Sequence, residues 1–148
     1  MKRSAIIVTG LAISMFACAQ TPPKSVTDNF NSRFSGATKV KWDQEEENEW
    51  EAEFKMNGSE MSASFDNAGK WLETEKEIKK SALPAAVSEA VNDQYSDYKF
   101  GEIAEIETPG FKGYEIGLEK GEEEIEIQVS NDGTITSVKN IEDEEDED

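Results

Sequence analysis

The chain has 148 residues, with 33 Asp or Glu against 15 Lys or Arg, a formal charge of −18 and no histidine. That balance excludes nucleic acid and bare anionic lipid as partners, because phosphate groups are held by clustered Lys and Arg. A single cysteine, Cys18, and the missing histidine exclude an internal disulfide, His or multi-Cys zinc sites, and Ser-His-Asp or Cys-His catalysis.

Residues 1–19 read as a secretory signal. Lys2 and Arg3 form its charged start, and Ala5 to Phe16 form an apolar stretch too short to span a bilayer, which takes about 20 residues. Two cleavages are open. Ala17-Cys18-Ala19 fits the small-x-small rule and leaves a soluble protein starting at Gln20. Met15-Phe16-Ala17-Cys18 is an imperfect lipobox that would make Cys18 a lipidated first residue, the one route by which this chain would meet a membrane. Residues 20–25, with Pro22 and Pro23, read as a short extended tether.

Residues 26–80 and 81–141 read as two related halves. Val26, Phe30 and Phe34 recur at helical spacing, as do Val87, Val91, Tyr95 and Tyr98, with Pro84 suited to the first turn of the second helix. The period then drops to two. Trp50, Ala52, Phe54 and Met56 alternate with Glu49, Glu51, Glu53 and Lys55, and Met61, Ala63 and Phe65 alternate with Glu60, Ser62 and Ser64. In the second half Tyr114, Ile116 and Leu118 alternate with Glu115, Gly117 and Glu119, and Ile125, Ile127 and Val129 with Glu124, Glu126 and Gln128. Clean alternation predicts antiparallel strands with one face covered and one wet. Turn chemistry falls between the runs at Asn57-Gly58, Asp66-Asn67-Ala68-Gly69, Lys120-Gly121 and Asn131-Asp132-Gly133. Further strands are expected around Thr38 to Trp42, Lys70 to Ile78, Phe100 to Glu107 and Thr134 to Val138. A constant offset of 64 carries Trp50 onto Tyr114, Phe54 onto Leu118, Phe65 onto Val129 and Gly69 onto Gly133, which reads as a duplication.

Several of these segments resemble the beta-lactamase-inhibitor-like, PepSY-like family of exported Gram-negative proteins. They are Phe34-Ser35-Gly36-Ala37, Val40-Lys41-Trp42, Phe65-Asp66-Asn67-Ala68-Gly69-Lys70-Trp71-Leu72, Leu83-Pro84, Gly113-Tyr114-Glu115 and Asn131-Asp132-Gly133-Thr134. The resemblance implies an α+β fold: a tandem repeat of a helix plus a four-stranded antiparallel sheet. The two halves would form one continuous open-faced sheet covered on one side by helices. It also implies binding or inhibition, without a defined ligand or catalytic residues.

No catalytic, cofactor or metal residues are expected. Paired carboxylates could serve a glycosidase only in a cleft that desolvates one of them, and these lie on a solvated strand face. The acidic turns hold calcium-type oxygens but lack the Asp-x-Asp-x-Asp-Gly loop, so weak calcium binding stands behind the plain turn reading. Residues 142–148 are seven consecutive acids, an acidic disordered tail by charge repulsion. The candidate partner face comprises Glu49, Glu51, Glu53, Glu115, Glu119, Glu124 and Glu126, with Trp71 as an anchor whose face is open. Its charge would select a cationic peptide or a basic surface of an unknown protein. The expected function is an exported, non-catalytic binding module, an inhibitor or modulator of an extracytoplasmic protein. The alternative is a cation-buffering acidic envelope protein with no specific protein partner.

Overall fold

The computed structural model describes residues 21–141. The chain runs α1 (Lys24–Arg33), β1 (Thr38–Glu46), β2 (Glu49–Met56), β3 (Ser59–Asp66) and β4 (Trp71–Glu77). A 3-10 turn (Lys80–Ala82) leads to α2 (Ala85–Gln94), then β5 (Lys99–Thr108), β6 (Phe111–Lys120), β7 (Glu123–Ser130) and β8 (Ile135–Ile141). The secretory signal, the lipobox at Cys18 and the acidic tail lie outside the described residues.

The expected tandem repeat of a helix plus a four-stranded sheet is corrected. All eight strands among the described residues belong to one antiparallel sheet in the order β1 to β8, accompanied by two helices of only ten residues each. The chain forms two compact units. One takes the chain through Lys76 together with Glu107–Gly110, and the other takes Glu77–Ile106 and the chain from Phe111 onward. Alternation specifies which side of a strand is covered, but it does not say where a sheet ends. The open face is corrected as well, because Ser64, Glu75, Glu115 and Glu126 are all buried.

In the first unit α1 lays Val26 and Phe30, with Phe34 just past its end, onto Trp50, Ala52, Phe54, Ala63 and Phe65. The β2–β3 register is unbroken, with Trp50 opposite Phe65, Ala52 opposite Ala63 and Phe54 opposite Met61, so the apolar set stays on one side. Aromatic rings fill the space under the helix. Phe30 meets Phe54 edge-on at 5.1 Å and Trp42 at 5.2 Å, and Phe34 meets Phe54 at 4.8 Å. In the second unit Leu83, Val87 and Val91 cover Ile103, Tyr114, Ile116, Leu118, Ile125, Ile127 and Val129.

Each helix starts on a proline. Pro23 and Pro84 are the residues just before the first turns, and their carbonyls accept from Val26 and Thr27, and from Val87 and Ser88. Pro84 thus precedes the first turn that it was expected to occupy. Lys24 and Ser25 belong to α1 and not to an extended tether, and Ser25 Oγ donates to the Asn67 carbonyl at 3.0 Å. The second helix stops at Gln94, so Tyr95 and Tyr98 pack against the core from the connection that follows it.

Candidate functional site

The β2 carboxylates Glu49, Glu51 and Glu53 alternate with buried Trp50, Ala52 and Phe54, which turns them away from α1. Cross-strand pairing sets Glu51 between Asp43 of β1 and Ser64 of β3, and Glu53 between Lys41 and Ser62. Burial pushes the Glu51 carboxyl up to about 7, the nearby Glu45 and Glu53 push the same way, and a hydrogen bond with Ser62 only partly offsets them. Burial also raises Glu49, with Glu46 and Glu45 adding to the effect. Glu53 is exposed. This face therefore carries one carboxyl group that holds its proton to near-neutral pH.

A direct consequence is a pH dependence. Because Glu51 is raised in the folded state, its contribution to stability is complete below the unfolded value near 4.5 and is lost as pH rises through about 7. Glu51→Gln is expected to remove a loss on the order of 1–3 kcal/mol across that window, after allowance for partial solvent exposure. Urea titrations from pH 4 to 8 would read it. The smaller slope that persists in the variant belongs to Glu49 and Glu102, which burial raises in the same direction.

In the second unit the carboxylates are placed differently from one another. Glu115 and Glu126 are only 4% and 8% exposed, whereas Glu119 and Glu124 are exposed. Gln128, opposite Glu115 in the β6–β7 register, donates through Nε2 to Glu115 Oε2 at 3.2 Å, and Glu126 sits opposite Lys139 of β8. Glu119 and Glu124 face each other across the same pair of strands. The seven glutamates are therefore not one uniformly solvated surface.

Trp71 lies apart from them. It packs against the first core, donates through Nε1 to Thr74 Oγ1 at 2.9 Å, and carries the Arg33 guanidinium 3.6 Å from its ring centroid. Its ring belongs to the helix side and is half-buried, so it does not share a face with Glu49, Glu51 and Glu53. The Ser62 and Ser64 hydroxyls beside Glu51 and the Gln128 amide beside Glu115 were missed as site members. The tight β2–β3 turn at Asn57-Gly58 fixes the register that brings the serines there, and that signal was available.

The acidic turns are occupied by their own backbone. Asp66 Oδ1 accepts from Ala68 N–H and Lys70 N–H at 2.9 Å each, and Asp132 Oδ1 accepts from Thr134 N–H at 3.0 Å and from the Ser130 hydroxyl. These bonds hold Asp132 down at about 2. Among the described residues no three His, Cys, Asp or Glu are gathered where they could hold a metal.

Comparison with solved structures finds the same fold in three Bacteroides proteins. A BLIP-like protein from Bacteroides fragilis is 23% identical, with 87% of this chain and 93% of that one covered at a TM-score of 0.75. A DUF2874 family protein from Bacteroides ovatus is 22% identical over 86% and 93% at 0.76. A protein from Bacteroides eggerthii, described as a candidate periplasmic protein, is 21% identical over 82% and 91% at 0.74. No curated protein matches the chain. The beta-lactamase-inhibitor-like, PepSY-like family model matches residues 48–137, which takes in β2 to β7, both acidic turns and the start of β8, and leaves out α1 and β1. The chain belongs to the beta-lactamase-inhibitor-like, PepSY-like family.

Proposed function

We propose that the protein is an exported, non-catalytic binding module that acts in the periplasm on a basic surface of another extracytoplasmic protein, as its inhibitor or modulator. The observation that carries this reading is Glu51. Its carboxyl is half-buried, crowded by Glu45 and Glu53, and pushed up to about 7. An arriving Lys or Arg would convert it to a paired carboxylate, and that gain is unavailable to an anionic or neutral partner. The family, the leader-like residues 1–19 and the periplasmic description of the Bacteroides eggerthii relative support the compartment. The BLIP-like description of the Bacteroides fragilis relative supports an inhibitory role. Acylation of Cys18 would hold the module on the periplasmic side of a membrane. The mass of the mature N-terminus separates a diacylglyceryl Cys18 from a free Gln20.

The test is capture from an envelope extract on immobilised protein, with parallel columns carrying Glu51→Lys and Glu53→Lys. A discrete protein retained at moderate salt by the parent and lost from both variants supports the reading. Proteins that elute in simple order of their charge, equally from all three columns, would overturn it in favour of a charge-buffering envelope protein.

A further inference from the structure

Among the described residues the sheet has two outer strands, β1 and β8, and each has a strand neighbour on one side only. Charge and irregularity ordinarily protect such an edge from pairing, and β1 has both. Its pairing with β2 shifts between Thr38 and Lys41 and again between Gln44 and Glu46, which leaves Lys41–Gln44 as the regular run. Lys39, Lys41, Asp43 and Glu45 are all exposed. Among the described residues Lys39, Lys41 and Asp43 form no salt bridge.

The order of those charges sets the strand apart. β1 reads Thr-Lys-Val-Lys-Trp-Asp-Gln-Glu-Glu, basic before Trp42 and acidic after it. A strand of one sign would repel its own copy along its whole length. This one does the reverse. Antiparallel pairing about a two-fold axis through Trp42 sets Lys41 of one copy opposite Asp43 of the other, and Lys39 opposite Glu45. Lys41 and Asp43 pair with Glu53 and Glu51 of β2, so both stand on the side away from α1 and the opposed charges share one face. Trp42 pairs with Ala52 on the helix side, where it would meet its own copy. β8 has no comparable code, since its one ionisable side chain is Lys139.

We infer that the β1 edge is a self-pairing surface, on which a second copy of this chain lays its own β1 antiparallel, in the register that opposes Lys41 and Asp43. Backbone bonding is confined to the short regular run, so the charge pairs choose both the register and the partner. The formal charge of −18 on each copy opposes association at long range. Physiological salt screens that repulsion beyond about 8 Å, whereas the cross-edge pairs are made at closer range. The inference stands on the charge order of β1 and not on the Glu51 reading.

Sedimentation of the intact protein at physiological salt, over a range of concentrations, tests it. A concentration-dependent dimer is expected. Lys41→Glu and Asp43→Lys each place like charges opposite one another at both symmetric positions, and each is expected to weaken the dimer by about tenfold or more. Both positions are exposed, so the variants keep the fold. Combining the two substitutions restores opposite signs in the same register and is expected to return the affinity to within about threefold of the parent. Lys70→Glu changes the net charge as Lys41→Glu does, but from the turn between β3 and β4, and is expected to alter the dimer by no more than about twofold. Hydrogen exchange along Lys41–Gln44 is expected to slow with concentration in the parent and not in the single variants. A monomer at every concentration, a double variant as weak as the single ones, or equal weakening by Lys70→Glu would overturn the inference. So would a dimer that Val138→Lys abolishes, which would move the contact to β8.

Discussion

Truncating Phe54 to alanine is expected to lower the folding stability by about 3–5 kcal/mol, the range for emptying a buried phenylalanine site. Phe54 is 3% exposed and meets Phe30 and Phe34 of the first helical segment at ring distances of 5.1 and 4.8 Å. Those partners are rigid aromatic rings that also support Trp42 and Phe65, so the space would collapse only partly. The adjacent Glu53 supplies the control. It is exposed on the other side of the same strand, and Glu53→Ala should stay within about 0.5 kcal/mol. Urea denaturation of both variants at one pH compares them directly. Equal losses would mean that the two sides of β2 had been interchanged, and the reading of Glu51 as part of a partner face would fall with it.

That contrast was legible before any coordinates, because strict alternation over 49–56 leaves no second way to cover Trp50, Ala52 and Phe54. Strand positions and hairpin turns followed for the same reason. Sheet continuity was not legible in the alternation and was expected only from the family resemblance. Alternation is a property of one strand, whereas the order β1 to β8 depends on which edges meet. The helix ends were misplaced by a residue or a few, since Tyr95 and Tyr98 keep helical spacing although the helix stops at Gln94.

The site was legible only in outline. Seven glutamates share a sequence pattern, yet Glu115 and Glu126 are buried while Glu119 and Glu124 are exposed. What separates them is the cross-strand neighbour. Glu115 has a glutamine amide donating to it, Glu126 stands opposite a lysine, and Glu119 and Glu124 stand opposite each other. Two like charges placed together are driven to solvent, whereas a carboxylate with a donor or cation across from it can be covered. Trp71 could not be assigned because the pairing of β3 with β4 shifts between Ser64 and Phe65, which breaks simple parity at that end.

The second large effect is expected at Gly133, in the turn joining β7 to β8. Its φ is +88°, a conformation that costs an L-residue about 1–2 kcal/mol. A Cβ built there would lie 2.5 Å from the Ala86 carbonyl oxygen and 3.2 Å from the Ala90 Cβ. Both belong to α2, whose first turn is fixed by Pro84 and whose Val87 and Val91 are fully buried, so the helix has little freedom to retreat. Overpacking of this kind adds about 1–3 kcal/mol, and Gly133→Ala should therefore cost about 2–5 kcal/mol in all. Gly121, in the β6–β7 turn, isolates the two causes. Its φ is also positive, at +66°, but a Cβ there meets nothing within 4 Å. Gly121→Ala should lose only the backbone part, about 1–2 kcal/mol. The difference between the two variants in urea denaturation measures how tightly the turn is held under α2. If they lose the same amount, the turn is not held under α2 and the two can separate freely.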